Sequence, residues 1–392
     1  MSAVQDSSLD DLRARAQAFA LEHATAVNGA GDEDAQALAA VHALAQAPEQ
    51  WLRFTVPARD GGHDRSKACS PDTVDVAALC AIRAGLAFGS GMLDVMFVEQ
   101  GLGSFPVASG GSAELRAQVL PAVARGEHVA AFAVTEDGAG SDLSSVALAA
   151  KEDSNGWRLE GSKTYISNAG LAGGYTVVAR TAGAPGDRDG LSMFYVPGDA
   201  QGLRVERFEV MAPHPIGEVH FDGVPVSRGQ LLGELGAGMD LALGNLARFR
   251  TSVAAAANGF AKRALHESAT RLQGRKQFGR PLSSFQGLRF DLAEMDVRLA
   301  AAELLVEAAA QAVNWGAEAT SEVARAKLFA TETAAYICDR AVQHFGGLGV
   351  RRGQTVERLY REVRALRIYE GTSEVQKLIL AKEVLRRHPH HG

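Results

Sequence analysis

Apolar positions recur every three to four residues through the first third of the chain. Leu9, Leu12, Ala16, Phe19 and Ala20 share one helical face, and alanine-rich stretches around 33–47, 72–100 and 112–125 repeat the pattern. The turn cluster at 57–62 (Pro57, Asp60, Gly61, Gly62) separates two of them, and Pro121 is expected to interrupt or end the last. From 129 to about 232 the period shortens. The runs 157–160, 175–179, 191–196 and 218–221 look like short strands, and Asn155-Gly156, Pro185-Gly186 and Asp222-Gly223 mark turns between them. Strands at this spacing predict a small antiparallel barrel or sandwich. A glycine-rich join at 233–238 then leads back into helix. Leu246, Phe249, Val253, Ala257, Phe260 and Ala264 form one stripe, and Leu292, Met295, Leu299 and Leu305 another, at lengths that suit an antiparallel four-helix bundle. The expected chain is α+β and mainly α, in three parts. These are an N-terminal helical domain over 1–128, a β domain over 129–238 and a C-terminal helical bundle over 239–392.

Composition narrows the function classes. A chain of 392 residues exceeds one core and suggests two or three domains, and 46% hydrophobic with 22% charged residues is ordinary for a soluble globular protein. A net charge of −6, with no basic run interleaved with aromatics, speaks against nucleic-acid binding. Cys69, Cys80 and Cys338 lie far apart without ligand spacing and read as thiols in a reducing compartment. Asp6, Asp10 and Asp11 stand where a secretory signal would be apolar, and no apolar run approaches the ~18 residues of a membrane span. The expectation is a cytoplasmic protein with no membrane partner. The terminal His388, His390 and His391 offer at most a weak metal site at a frayed end.

Five stretches carry candidate chemistry. Val356, Leu359, Tyr360, Val363 and Leu366 form a helical stripe that Gly371 breaks, and Ser373 with Gln376 fits a capping box for a following helix. Glu370 therefore sits at a corner between two helices, where apolar neighbours would raise its pKa and let it remove a proton; the plainer reading is a solvated glutamate at a helix end. In 132–142, Gly138 and Gly140 allow close backbone approach to a ligand, and Thr135 and Ser141 add hydroxyls, although a tight structural turn accounts for the same residues. No G-x-G-x-x-G follows a strand, so a Rossmann site is excluded. The segment 161–168 alternates, placing Tyr165 and Ser167 on one face and Ile166 on the other, as a planar cofactor or a half-buried strand would require. Arg275, in a link between two helices, has the planar fork that suits phosphate, and Gly346, Gly347 and Gly349 end a helix as a C-cap or a nucleotide approach.

Taken together and in order, these stretches resemble the acyl-CoA dehydrogenase family over essentially the whole chain. Its T-E-x-x-A-G-S-D pattern stands at 135–142, W-I-T-N as Tyr165-Ile166-Ser167-Asn168, R-x-x-F-G at 275–279 and Y-E-G-T as Tyr369-Glu370-Gly371-Thr372. The resemblance implies an FAD enzyme that dehydrogenates an acyl thioester, acyl-CoA to trans-2-enoyl-CoA. Glu370 would be the α-proton base and flavin N5 the hydride acceptor, with the thioester carbonyl polarised by a ribityl hydroxyl and the Glu370 N–H. Carried over by position, Phe132, Val134, Thr135, Tyr165, Ile166 and Ser167 would hold the flavin, and Ser141 would lie where flavin and CoA meet. Arg275, Phe278 and Gln286, with Gln343, Gly346 and Gly347, would hold the FAD of a partner subunit, and Thr372 and Glu374 its adenosine diphosphate part. Arg250, Tyr369 and Gly371 would contact the substrate.

The family pattern also implies a homo-oligomer, a dimer or a tetrameric dimer of dimers, passing electrons to an electron-transfer flavoprotein or another acceptor. Fatty or branched acyl metabolism is the expected setting. Some relatives carry the base immediately before the arginine that matches Arg250; here that residue is Phe249, which favours Glu370. Leu93 stands where glutaryl-specific relatives place an arginine, so a dicarboxylic acyl group is not favoured. The loosely matching first domain and a departing 211–218 segment, with Pro213 and Pro215, leave a carrier-protein-bound acyl or aminoacyl substrate as the alternative. A non-catalytic flavin-binding relative is the remaining one.

Overall fold

A computed structural model describes residues 8–316 and 318–389, so His390 and His391 of the terminal cluster lie outside the described residues. The first helices are α1 (Leu9–Asn28), α2 (Glu33–Gln46), α3 (Val76–Gly89), α4 (Gly91–Gly110) and α5 (Ala113–Ala124). The stretch expected as one helix over 72–100 breaks at Ser90, whose Oγ accepts from the Leu93 N–H at 3.3 Å and so caps α4. Nor does Pro121 end α5. The helix runs on to Ala124, held at its start by Ser112 Oγ accepting from Leu115 N–H.

Contacts group the chain into two compact units. One contains Thr25–Asp75 and Val95–Phe249; the other contains Ser8–Ala24, Val76–Asp94 and the chain from Arg250 onward.

The first unit is built on a sheet of β1 (Ala130–Ala133), β2 (Ala149–Asp153), β3 (Gly156–Ser167), β4 (Gly174–Arg180), β5 (Leu191–Pro197), β6 (Leu203–Arg207), β7 (Ile216–Ser227) and β8 (Leu231–Leu232). Its order is β6-β7-β3-β2-β4-β5-β8, with β1 added beside β4. The four expected strands are present inside β3, β4, β5 and β7. The barrel is not: among the described residues the end strands β6 and β8 pair with β7 and β5 but not with each other, so the sheet stays open. It is also mixed, because β1 and β2 both run parallel to β4. Every residue of β4 is buried, which explains a continuous apolar run where a one-sided strand would alternate. On one face Trp157, Leu159, Val177, Phe194, Val219 and Phe221 form the core, each worth about 1.5–3 kcal/mol for an aliphatic or Phe side chain removed from water.

In the second unit, α6 (Gly238–Gly274) contributes its residues from Arg250 on, followed by α7 (Gln286–Asn314), α8 (Thr320–Phe345), α9 (Thr355–Leu366) and α10 (Ser373–Arg387). Val253, Phe260, Met295, Leu299, Ile337 and Leu359 meet in one core. The stripe of α9 falls as its spacing dictates: Val356, Leu359, Val363 and Leu366 are buried, while Arg361 pairs with Glu357 at 2.6 Å. α3 packs against α1 at Gly85, where a Cβ would stand 2.5 Å from the Arg13 carbonyl; only glycine allows that approach.

Candidate active site

Between α9 and α10 the chain turns a corner over 367–372. Glu370 and Gly371 there both take left-handed backbone, at φ 52° and 91°. Glycine accepts this freely and glutamate does not, so the corner has to be held from outside. Arg250 Nε donates to the Glu370 carbonyl at 2.6 Å, and Lys327 Nζ and Gln376 Nε2 donate to the Gly371 carbonyl at 2.7 and 2.9 Å. Thr372, not Ser373, caps α10, its side chain accepting from Val375 N–H. The expected capping box is therefore absent: Ser373 Oγ donates to Glu332 instead, and Gln376 serves Gly371.

The Glu370 side chain is only partly exposed, and its Oε2 is shielded from water with no hydrogen-bond partner. Burial pushes its pKa above the ordinary carboxylate range, while Arg83, Arg250 and Lys327 pull it back and Asp94 adds a smaller push upward. Arg83 is itself fully buried, in a two-pronged pair with Asp94 at 2.8 Å on each side and a 3.0 Å bond to Ser252 Oγ. Sequence reasoning missed Arg83, Asp94 and Lys327. For Arg83 and Asp94 a signal was present, since each is a charge in an apolar helical run; Lys327, two residues after Arg325, gave none.

Among the predicted flavin residues, Thr135 and Tyr165 belong to two adjoining segments, joined where Thr164 N–H donates to the Thr135 carbonyl at 2.9 Å. Beneath them Lys163, 0% exposed, donates to the Val134 carbonyl at 2.8 Å and to Glu136 at 2.7 Å. The β3–β7 register slips between Lys163 and Ile166, and there Tyr165 takes φ 56°. That bulge leaves the Tyr165 ring 62% exposed, edge-on to Phe208, while Ile166 turns into the sheet core. Val134 is buried too, Phe132 and Thr135 are half-buried, and Ser141 is exposed. Ser167 Oγ lies 2.7 Å from His214 Nε2, a ring whose pKa burial, with Arg207 nearby, pushes down to about 4.

The remaining residues belong to the second unit. Arg275 opens a hairpin of β9 (Lys276–Gln277) and β10 (Arg280–Pro281), whose turn holds Phe278 at φ 50° and 91% exposed. Gln286 starts α7. Gln343 is on the last turn of α8, and beyond it a Cβ built on Gly346 or Gly347 would meet nothing within 4 Å. Tyr369 and Gly371 flank Glu370, and Glu374 is exposed on the first turn of α10.

A family model described as the acyl-CoA dehydrogenase C-terminal domain matches residues 236–385, and one for the middle domain matches 131–224. The cyclohexane-1-carbonyl-CoA dehydrogenase of Geobacter metallireducens is 33% identical over 366 residues, 93% of this chain and 92% of that one. The chain belongs to the acyl-CoA dehydrogenase family. Solved neighbours agree. The butyryl-CoA dehydrogenase of Megasphaera elsdenii has a TM-score of 0.86 at 27% identity, covering 98% of this chain and 99% of that one. The prolyl acyl carrier protein oxidase AnaB also has a TM-score of 0.86, at 25% identity, covering 97% and 99%.

This acyl-CoA dehydrogenase relative is thus an oxidoreductase, and its cofactor is FAD. The residues fit that group. In the first unit the exposed Tyr165 ring is a face that a planar ring would cover; in the second, taken by itself, the exposed Phe278 ring and the open glycine backbone at Gly346 and Gly347 suit a nucleotide. Among the described residues no helix is long and apolar enough to cross a membrane.

Proposed function

We propose that this enzyme dehydrogenates an acyl-CoA thioester between Cα and Cβ, with Glu370 as the base. The shielded, unpartnered Oε2 of Glu370 is the observation that supports it most. A carboxylate lifted by burial is a stronger base, and the three nearby cations oppose part of that lift. Glu370 takes the α-proton, and its main-chain N–H binds the thioester carbonyl oxygen, stabilising the charge that develops as that proton leaves. Arg250 holds the Glu370 peptide in place through its 2.6 Å bond. FAD, when bound, supplies the acceptor for the hydride leaving Cβ. Phe132, Val134, Thr135, Tyr165, Ile166 and Ser167 would hold its ring, with Ser141 toward CoA. Arg275, Phe278, Gln286, Gln343, Gly346, Gly347, Thr372 and Glu374 would hold its phosphate and adenosine parts in a homo-oligomer. An electron-transfer flavoprotein in the cytoplasm would be the electron-accepting partner.

A second reading keeps the chemistry and changes the carrier. The AnaB neighbour, a prolyl acyl carrier protein oxidase, supports an acyl or aminoacyl group on a carrier protein. Anaerobic bleaching of the flavin by a panel of CoA thioesters, set against carrier-bound ones, separates the two. Glu370→Gln tests the base: the protein stays yellow and substrate no longer reduces the flavin. Near-normal reduction in that variant would overturn the assignment.

A further inference from the structure

The corner that carries Glu370 is gripped at three points by one face of α8. Lys327 Nζ donates to the Gly371 carbonyl at 2.7 Å from a side chain that is 0% exposed. Glu332, farther along the same helix, accepts from Ser373 Oγ at 2.7 Å and from Arg367 Nε at 2.9 Å. These bonds close the two ends of the corner, which the Ser373 N–H to Arg367 carbonyl bond at 3.0 Å also joins. Neither residue belongs to the motifs that marked the site in the sequence.

We infer that Lys327 is a positioning residue for the proton-abstraction step, fixing the left-handed Glu370–Gly371 corner through the Gly371 carbonyl and placing a positive charge near the Glu370 carboxyl. The inference rests on Glu370 being the base. Two observations argue that the lysine is more than filler. An amphipathic cation buried to 0% exposure costs several kcal/mol unless its charge is used. Its donor ends on the carbonyl of Gly371, the residue that follows Glu370 and shares its positive φ, so it pins the corner one peptide beyond the one that Arg250 holds.

The charge environment supports both roles. Glu370 is faced by Arg83 from α3, Asp94 from α4, Arg250 from α6 and Lys327 from α8. Lys327 is faced by Glu370, by Arg250 from α6, by Glu332 on its own helix and by Glu374 from α10. Arg83 is already committed to Asp94, and Arg250 to the Glu370 carbonyl, so Lys327 is the cation whose removal leaves the other pairs intact. Burial holds the Lys327 pKa down to about 8, with Glu370 opposing that shift, so the ammonium persists at neutral pH.

The test uses the FAD-loaded enzyme with the thioester that bleaches wild type, under anaerobic stopped flow from pH 5.5 to 9, in Lys327→Met, Lys327→Gln and Glu370→Gln. Lys327→Met is expected to slow flavin reduction roughly tenfold to a hundredfold, the range for losing a hydrogen bond to a charged group. Its acid limb is expected to move to higher pH, because a carboxyl without that cation protonates more readily. Lys327→Gln keeps a donor and drops the charge, so it recovers part of the rate while its acid limb stays displaced; it also serves if the Met variant does not fold. A structural role alone would alter FAD content or yield and leave the limb where it is. Wild-type rates and an unmoved acid limb in whichever of the two variants folds would overturn the inference while an inert Glu370→Gln left the base intact. Normal reduction by Glu370→Gln would instead remove the reading on which the inference stands.

Discussion

Lys163→Met removes the buried cation beneath the Thr135 and Tyr165 segments. Lys163 is 0% exposed, and its ammonium joins the Glu136 carboxylate at 2.7 Å and the Val134 carbonyl at 2.8 Å. Deleting one member of a buried pair costs ~3–5 kcal/mol, mostly through the charge left behind. Here the stranded Glu136 keeps two N–H donors, from Ala147 at 2.8 Å and Leu148 at 3.0 Å, and its side chain is 10% exposed. Those contacts place the cost near the lower end, about 3 kcal/mol. At about 2–4 °C per kcal/mol for a unit of this size, the melting temperature should drop by roughly 6–12 °C. Circular dichroism during heating measures it, and flavin fluorescence in the same scan reports FAD release. The double variant Lys163→Met with Glu136→Gln removes the orphaned charge and should recover part of the loss. A single variant melting within about 2 °C of wild type would refute the reasoning, since the pair would then be no stronger than a surface contact.

Acid should weaken the first unit through His214. Its folded pKa is pushed down to about 4, so between about pH 6.5 and 4 the unfolded chain binds a proton that the folded ring refuses, and stability falls as pH falls. The full shift corresponds to about 3 kcal/mol; the ring is partly exposed, which reduces this to about 2 kcal/mol. Denaturant melts across that range should show it, and His214→Gln should flatten the slope; an unchanged slope would contradict the assignment to His214. Arg275→Ala should weaken FAD retention about tenfold, the loss expected for one charge-assisted phosphate bond, and should shift the oligomer toward smaller species. Unchanged FAD content after gel filtration and unchanged mass by light scattering would count against a shared cofactor site.

The helices and the inner strands were legible because their apolar patterns differ: a helix such as α9 buries one stripe, while β4 and β5 are short runs buried almost throughout. β2 and β6 were not. Ala149–Asp153 and Leu203–Arg207 are charged, incompletely buried strands, specified by pairing with β3 and β7 rather than by their own pattern. The open, mixed sheet was hidden for the same reason. Nothing local in Ala130–Ala133 says that it lies parallel to β4, because that pairing joins residues more than forty positions apart in sequence. In the candidate site, Glu370, Arg275 and the glycines could be singled out because their residue types suit the proposed chemistry. Lys327 was not, because its meaning depends on a carbonyl at Gly371, and Arg83 depends on Asp94 and on Ser252 in a distant helix.

The backbone supplies a further link between sequence and site. Among the described residues, the non-glycine positions at positive φ are Gln50, Tyr165, Asn168, Phe278 and Glu370. Outside glycine and asparagine such geometry costs of order 1–3 kcal/mol and persists only where neighbours over-determine it. Tyr165 is held by the bulge between Lys163 and Ile166, and Glu370 by the three donors on its corner. In both, the strain changes what the side chain faces. A regular strand would keep the Tyr165 ring in a simple alternation, and a regular helix end would carry Glu370 round with α9; the left-handed residue breaks each progression. Phe278 follows the same logic in its hairpin turn, where the ring is left 91% exposed. Exposed aromatics and a shielded carboxylate oxygen are poor choices for stability alone, and the hydrogen bonds that hold them are the cost of keeping them in place. Strain located at the residues with the chemistry to bind a planar cofactor or take a proton is what a fold selected for that reaction would retain.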